Sequence, residues 1–377
     1  MSIYLDNAAT SVRKPESVIN AIRNTIENYG NPARGVYTES LNSSRLIYEA
    51  RENIAKFVGC PEISHVIFTS GATQALNMAI AGIFHKGDHV ITTEFEHNSV
   101  LRPLNHLKEL GIIELDYVKT DSQCNIDFRD FERLIKKNTK AIVCTHASNV
   151  TGDILDIGII GEIAYTHNLC FILDASQTIG VIGIDMVKNH INALCFSGHK
   201  GLMGATGTGC LCINDIDVEP IFFGGTGIQS FEPVSLREYP EKLEVGTPNI
   251  IGISGLNAAV QYINSVGLER IFCHESMLRS YFIGEMQALG RYRIMQNEAL
   301  NHTATVAVIP KDTDAAGLAS YLSDHGIAIR AGAHCAPLLV NALGQQNNGI
   351  ARFSFGYMNT QEEIDILIDT LKQVSVN

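Results

Sequence analysis

No stretch of this 377-residue chain reaches the roughly 18 to 20 consecutive apolar residues that a membrane-spanning helix needs. Its opening, Met1 to Thr10, comes to Asp6 and Asn7 without an apolar run, so the chain reads as cytoplasmic. Positive charge is scarce. Lys and Arg total 28 against 40 Asp and Glu, and the net charge of −12 has the wrong sign for gripping a phosphate backbone, which argues against nucleic acid as a partner. No C-x-x-C pair occurs among the nine cysteines, and an odd count argues against a complete disulfide framework, so reduced thiols are expected. Repeats, low-complexity tracts and Pro/Ser-rich linkers are also missing, which leaves any domain boundary soft.

What is present suits a globular enzyme. Hydrophobic residues make up 45% and charged residues 18%, enough to bury a sizeable core, and the length exceeds one compact core. Cys210 and Cys212 form a C-x-C within Gly207–Ile213, which reads as a buried strand rather than a metal pair. Most other cysteines lie in apolar runs and read as small core residues; Cys335 does not.

Two helices are expected first, one opened by Pro15 and stopped by Gly30, the other carrying Leu46, Ala50, Ile54 and Phe57 and ending at Gly59. Between residues 65 and 213, short Ile- and Val-rich runs alternate with helical stretches. The runs at 65–70, 89–93, 112–118, 140–145, 170–174 and 193–197 predict crossover units and a mostly parallel sheet covered on both faces. After Pro248 come two long helices, about 249–264 and 267–289, then a strand at 303–309, a helix after Asp314, short strands near 327–330 and 351–354, and a last helix from Thr360. The fold class is α/β, with a large unit at 16–255 and a smaller α+β unit made of 1–15 plus 256–377.

In an open parallel sheet the ligand lies beyond the carboxyl ends of the strands, so the residues just after each apolar run are the informative ones. After Phe68-Thr-Ser70 comes Gly71-Ala72-Thr73-Gln74, where free N–H groups at a helix start would suit a phosphate, although a plain strand-to-helix turn reads as well. It is neither a Walker A loop nor a G-x-G-x-x-G turn. Asp174 ends its strand, where it could hold a protonated ring nitrogen or merely cap the next turn. One strand later, Ser197-Gly-His199-Lys200-Gly201 sets a Lys among small residues, where desolvation would lower its pKa and make the amine a nucleophile able to form a Schiff base. Amine, carboxylate and N–H nest together are what pyridoxal phosphate needs. Asn149 and His97 occupy two further strand ends, suited to a ring hydroxyl and to stacking on the ring face; either could instead order its loop.

With Tyr4-Leu-Asp-Asn-Ala-Ala9, Ser148-Asn-Val150, Asp174-Ala-Ser-Gln177, Ser197-Gly-His-Lys200, Gly246-Thr-Pro-Asn249, Arg330-Ala-Gly-Ala-His-Cys-Ala336 and Ala351-Arg352 in view, a resemblance emerges along nearly the whole chain. The sequence resembles the class V aminotransferase-fold enzymes of pyridoxal 5'-phosphate, and within them the cysteine desulfurases of the second, SUF-like group. The resemblance implies a type I fold with Lys200 as Schiff-base lysine, Asp174 on the pyridine nitrogen, Gln177 and Asn149 near the ring oxygen, and His97 on the ring face. It implies that Ala72, Thr73, Ser197 and His199 hold the phosphate, with Thr247 supplied by the second subunit of a homodimer. Arg352, with Asn149 and Arg330, would bind the substrate; a guanidinium fork suits a carboxylate, and an Arg in a strand also suits a structural ion pair. Cys335, in a Gly- and Ala-rich loop beside His334, would be the nucleophile that takes sulfur from L-cysteine as a persulfide, leaving L-alanine, with a sulfur-acceptor protein downstream. The short segment from Cys335 to Arg352 goes with the group that has a compact catalytic loop. Three positions depart from that group: Ala333, Ala33 and Tyr37 stand where it carries histidine. A selenocysteine lyase or another class V enzyme of this fold is the alternative.

Overall fold

The computed structural model describes residues 3–374 except 33, 34, 36, 228–230, 232, 233 and 235. Seven strands form the main sheet, in the order Val66–Thr69, Gly209–Ile213, Ala193–Ser197, Cys170–Asp174, Thr139–Thr145, Asp88–Thr93, Ile113–Val118. All run parallel except Gly209–Ile213, which is antiparallel to both neighbours. Consecutive side chains of a strand point to opposite faces, and the two cores divide along that period of two. Phe171 and Leu173, Ile142 and Cys144, Leu194 and Phe196, and Cys210 and Cys212 enter one core. Cys170 and Ile172, Ala141 and Val143, Ala193 and Cys195, and Leu211 and Ile213 enter the other. Both faces are therefore apolar, which is why the strands read as unbroken hydrophobic runs.

Five of the nine cysteines are buried in this way; Cys60 and Cys124 are buried outside the sheet, Cys273 is exposed and Cys335 partly so. Burial pushes the Cys170 thiol up to about 12 and those of Cys144, Cys195 and Cys212 well above the ordinary value, so none of these four is a thiolate at neutral pH.

The opening helices run Glu16–Asn28 and Thr38–Val58, the second closed by Gly59 in the left-handed conformation. They pack on the helix Ile250–Val266, whose first turn is capped by the Asn249 side chain accepting from the Gly252 N–H. Beyond it, helix Leu268–Leu289 leads to a four-stranded antiparallel sheet in the order Arg330–Gly332, Ile350–Ser354, Thr305–Pro310, Tyr292–Met295. A third core fills that sheet's interface with the helices Leu268–Leu289, Ala315–Asp324 and Gln361–Lys372. The last helix starts with a capping box, Thr360 and Glu363 each satisfying the other's backbone N–H. Two short elements carry no local pattern. Ile3–Tyr4 pairs in parallel with Ile327–Ala328, which brings the start of the chain against its C-terminal third. Among the described residues no helix is long and apolar enough to cross a membrane, and no group of His, Cys, Asp and Glu could hold a metal ion.

Candidate active site

The strand tips converge on a cavity of about 200 Å³ lined by Ala72, Thr73, His97, Asn149, Asp174, Gln177, Ser197, His199 and Lys200. At one end the helix Ala72–Ile83 begins directly after Gly71, which has φ 152° and no side chain with which to cap the first turn. The Ala72 N–H donates instead to Ser197 Oγ at 3.1 Å, reaching the tip of the strand beyond Gly209–Ile213. This approach depends on Gly209, where a Cβ would come within 2.6 Å of Gly71 Cα and 2.5 Å of the Phe196 carbonyl oxygen. A first turn with N–H groups facing a cavity is an anion cradle.

Asp174 closes its strand with the side chain turned back on the next turn. Ser176 donates to Asp174 Oδ1 twice, from its N–H at 3.0 Å and its hydroxyl at 2.5 Å. Both bonds fall on Oδ1 and fix the carboxylate. Lys200 stands one strand along. Burial lowers its pKa, with Arg352 and Arg330 acting the same way and the Asp174 charge opposing them. Its backbone is held by an unusual clamp on the preceding carbonyl: His199 O accepts from Ser11 N–H at 3.0 Å, Thr10 Oγ1 and Ser11 Oγ each at 3.1 Å, and Lys14 Nζ at 3.2 Å.

His97 caps the helix Asn98–Glu109 with its ring. Nδ1 accepts from Ser99 N–H at 3.0 Å and lies 2.6 Å from Ser99 Oγ, so the ring proton sits on Nε2. Burial, reinforced by the charges of Lys200, Arg330 and Arg352 and opposed by Asp174, brings its pKa down to about 4. The imidazole is thus neutral near pH 7. Beside it Glu96 is fully buried and its pKa is pushed up to about 8 by burial, with Oε1 accepting from Thr93 Oγ1 at 2.6 Å and Thr145 N–H at 3.0 Å.

Cys335 faces an adjoining cavity of about 410 Å³ that shares Thr73, His97 and Ser99 with the first. It and His334 are consecutive non-glycine residues with positive φ, 58° and 50°. Such a pair needs outside support, and three hydrogen bonds provide it. Asn149 Nδ2 donates to the His334 carbonyl at 2.7 Å, Asn98 N–H to the Cys335 carbonyl at 2.7 Å, and His334 Nε2 to the Ile350 carbonyl at 2.8 Å. His334 is buried, its pKa falls to about 3, and it faces away from the thiol as a neutral prop. Arg330 Nη2 lies 4.0 Å from Cys335 Sγ.

Three expected residues, Arg330, Arg352 and Thr247, line neither cavity. Arg352 is 1% exposed, its Nη1 donating to the Asn149 carbonyl at 2.9 Å and its Nη2 paired with Asp6. Thr247 is exposed and lines a different, larger cavity with Gln74, Phe222 and Phe223. Of the departures from the family pattern, Ala33 lies outside the described residues, with Arg34 and Val36 of the same motif. Sequence reasoning gave no part to Ser176, Asp6 or Glu96. Ser176 has a local signal, two residues after an Asp at a strand end; Asp6 meets Arg352 across 346 residues and has none.

The wall fits a phosphorylated pyridine. Asn149 Oδ1 and His199 Nδ1 are buried without a partner among the described residues, as a ring hydroxyl and a phosphate would require. The helix start is open to an anion, the Asp174 carboxylate is available to a ring N–H, and Lys200 supplies an amine with lowered pKa.

The family model for aminotransferase class V matches residues 3–367. A probable cysteine desulfurase of Pyrococcus abyssi is 34% identical over 99% of this chain and 94% of its own length. One of Borreliella burgdorferi is 33% identical over 99% and 91%. Among solved structures, an apo cysteine desulfurase from Thermococcus onnurineus superposes with a TM-score of 0.92 at 33% identity, covering 99% of this chain and 94% of that one. An Escherichia coli cysteine desulfurase with an S-sulfonic acid gives 0.86 at 27% identity, with 99% and 94% covered. Matched from end to end by that family and by relatives above 30% identity, the chain belongs to the aminotransferase class V family, among its cysteine desulfurases.

Proposed function

We propose that this protein is a pyridoxal-phosphate-dependent cysteine desulfurase that turns L-cysteine into L-alanine and keeps the sulfur as a persulfide on Cys335. The observation that carries this reading is the meeting of Lys200 and Asp174 on one cavity wall, with Cys335 on the cavity next to it. Bound at this wall, the cofactor would supply an aldehyde for the Lys200 amine and a ring that draws negative charge from the substrate α-carbon.

The chain's own residues do the rest. Thr73, Ser197 and His199, with the N–H of Ala72 nearby, hold the phosphate, and Asp174 keeps a positive charge at the ring nitrogen. Asn149 and Gln177 meet the ring oxygen, and the neutral imidazole of His97 covers a ring face. Lys200, freed by the substrate amine, takes the α-proton at Nζ, a step its lowered pKa suits. Arg352, with Arg330 and Asn149 beside it, receives the substrate carboxylate. The Cys335 thiolate attacks the substrate sulfur; the S–S bond forms as the C–S bond breaks, and the electron pair leaves with the three-carbon fragment. That fragment gains a proton at Cβ, recovers at Cα the proton that Lys200 took, and departs as alanine. Both sulfurs are oxidised by one electron each and the carbon is reduced by two, so no outside oxidant takes part.

The short Cys335–Arg352 segment supports assignment to the SUF-like group, and a sulfur-acceptor protein is the expected recipient. We assign residues 16–255 to the cofactor-holding unit and 1–15 with 256–377 to the smaller one. Thr247 is expected to complete the phosphate site of a second copy, since it is exposed beside Phe222 and Phe223, 46% and 72% exposed. A cytoplasmic location would keep the thiols reduced.

The test is to incubate the purified yellow protein with L-cysteine and, separately, L-selenocysteine, then quantify alanine and the mass gained by the Cys335 peptide. Alanine from cysteine together with one added sulfur on that peptide is the expected result. Alanine from selenocysteine alone would make the protein a selenocysteine lyase instead.

A further inference from the structure

A guanidinium as enclosed as that of Arg352 needs a counter-charge. Asp6 provides it, engaging Nη2, while Nη1 is spent on the Asn149 carbonyl and Nε has no partner among the described residues. A guanidinium grips a carboxylate through two neighbouring nitrogens, either Nη1 with Nη2 or Nη2 with Nε. Both edges include Nη2, the nitrogen that Asp6 holds. A substrate carboxylate arriving beside Asp6 would place two negative charges on one buried positive charge. Arg330, the other cation nearby, stands directly opposite Arg352 across the paired strands but is exposed and directed at Cys335.

We infer that Asp6 is an internal competitor for the substrate carboxylate, neutralising Arg352 between turnovers and yielding Nη2 when an amino acid binds. This rests on Arg352 being the carboxylate holder of the proposed reaction.

The backbone around Asp6 says how the exchange occurs. The Asp6 carbonyl accepts from Ala9 N–H at 3.1 Å, Thr10 N–H at 3.4 Å and Tyr4 Oη at 3.1 Å, and Ser354 N–H donates to the Leu5 carbonyl at 2.8 Å. A few residues on, the same segment clamps the His199 carbonyl. The main chain is pinned at both ends, so the movement is a rotation of the Asp6 side chain, which at 17% exposure has a route to water. Asp6 then acts as a positioning residue through Arg352, setting affinity without touching the reacting atoms. A ligand that must displace an internal competitor binds more weakly by the fraction of protein already competent.

The experiment compares the cofactor-loaded wild type with Asp6→Asn and the charge-keeping Asp6→Glu. Asp6→Asn is expected to lower KM for L-cysteine by about threefold or more with kcat within about twofold, and Asp6→Glu to stay near wild type. L-Alanine, a carboxylate probe that needs no turnover, is expected to raise the Tm of Asp6→Asn more than that of the wild type. A raised or unchanged KM in Asp6→Asn, a fall in KM in Asp6→Glu equal to that in Asp6→Asn, or equal alanine shifts in all three proteins would overturn the inference. If wild-type holoenzyme releases no alanine from cysteine, the desulfurase reading fails, while the melting shifts still decide the role of Asp6.

Discussion

The side-chain amide of Asn149 donates to the main-chain carbonyl of His334 at 2.7 Å, tying the cofactor-facing wall to the residue before Cys335. One residue thus faces the expected ring oxygen with Oδ1 and steadies the nucleophile's loop with Nδ2. The left-handed pair His334–Cys335 has few other supports.

Asn149→Ala should therefore hurt sulfur transfer more than cofactor binding. Leaving a buried carbonyl unpaired costs about 1–3 kcal/mol, which corresponds to roughly 5- to 150-fold in kcat/KM. Steady-state alanine production measures it, and a variant within about twofold of wild type would remove the loop-tethering role.

Gly209 is expected to tolerate no side chain. In Gly209→Ala the new Cβ would push on Gly71 Cα and the Phe196 carbonyl, both at the phosphate end of the cavity. Overpacking of this kind costs about 1–3 kcal/mol, so Tm should fall and cofactor affinity with it. Titration of the cofactor-free variant with pyridoxal phosphate checks this; wild-type affinity would mean that the Gly71 turn is not part of the cradle.

Cys335→Ala should keep the yellow cofactor band and lose sulfide release from cysteine in the presence of a reducing thiol. The outcome that defeats the nucleophile assignment is retained cysteine turnover.

The cofactor-free protein should be most stable near pH 6.5. His97, His146 and His199 are brought down to about 4 and His334 to about 3, each chiefly by burial, from an ordinary value of 6.5. In the acid range the unfolded chain binds these protons and the folded chain does not, so stability is lost as pH falls from 6.5 towards 4. Glu96 and Glu275 are pushed up by burial from 4.5 to about 8, so the folded chain holds protons that the unfolded one has released, and stability is lost as pH rises from 4.5 through 8. Four histidines outweigh two carboxyls below pH 6.5; above it the two carboxyls outweigh the opposing effect of Lys14, brought down to about 8 by burial, up to about pH 7.5. Urea melts from pH 4.5 to 8 test this, and a monotonic profile would contradict it.

Much of the candidate site could be read from sequence because its polar residues sit where unbroken apolar runs end. Asp174 and Lys200 each follow an apolar strand, and once the strands are drawn their tips fall side by side. The strands themselves were readable because both faces of the sheet are buried. The antiparallel insertion of Gly209–Ile213 was not, since direction leaves no mark on a run buried on both faces. Ile3–Tyr4 and its two-residue partner are too short to show a period. The Asp6–Arg352 pair joins opposite ends of the chain, and no local spacing encodes such a meeting. His334 is adjacent to the thiol in sequence, yet the left-handed turn sends its ring to the Ile350 carbonyl, which adjacency does not reveal.

Enclosing seven sulfhydryls in the protein's interior leaves a molecule with only two handles for electrophiles, one on an outer helix and one on the wall of the cavity beside His97. A maleimide or an alkyl halide applied to the native protein becomes a probe of turnover state, since a persulfide at position 335 would take up the label with one extra sulfur while position 273 serves as an internal standard. The enclosure also denies transferred sulfur any resting place inside the barrier, so what one chemical step deposits can leave only outward.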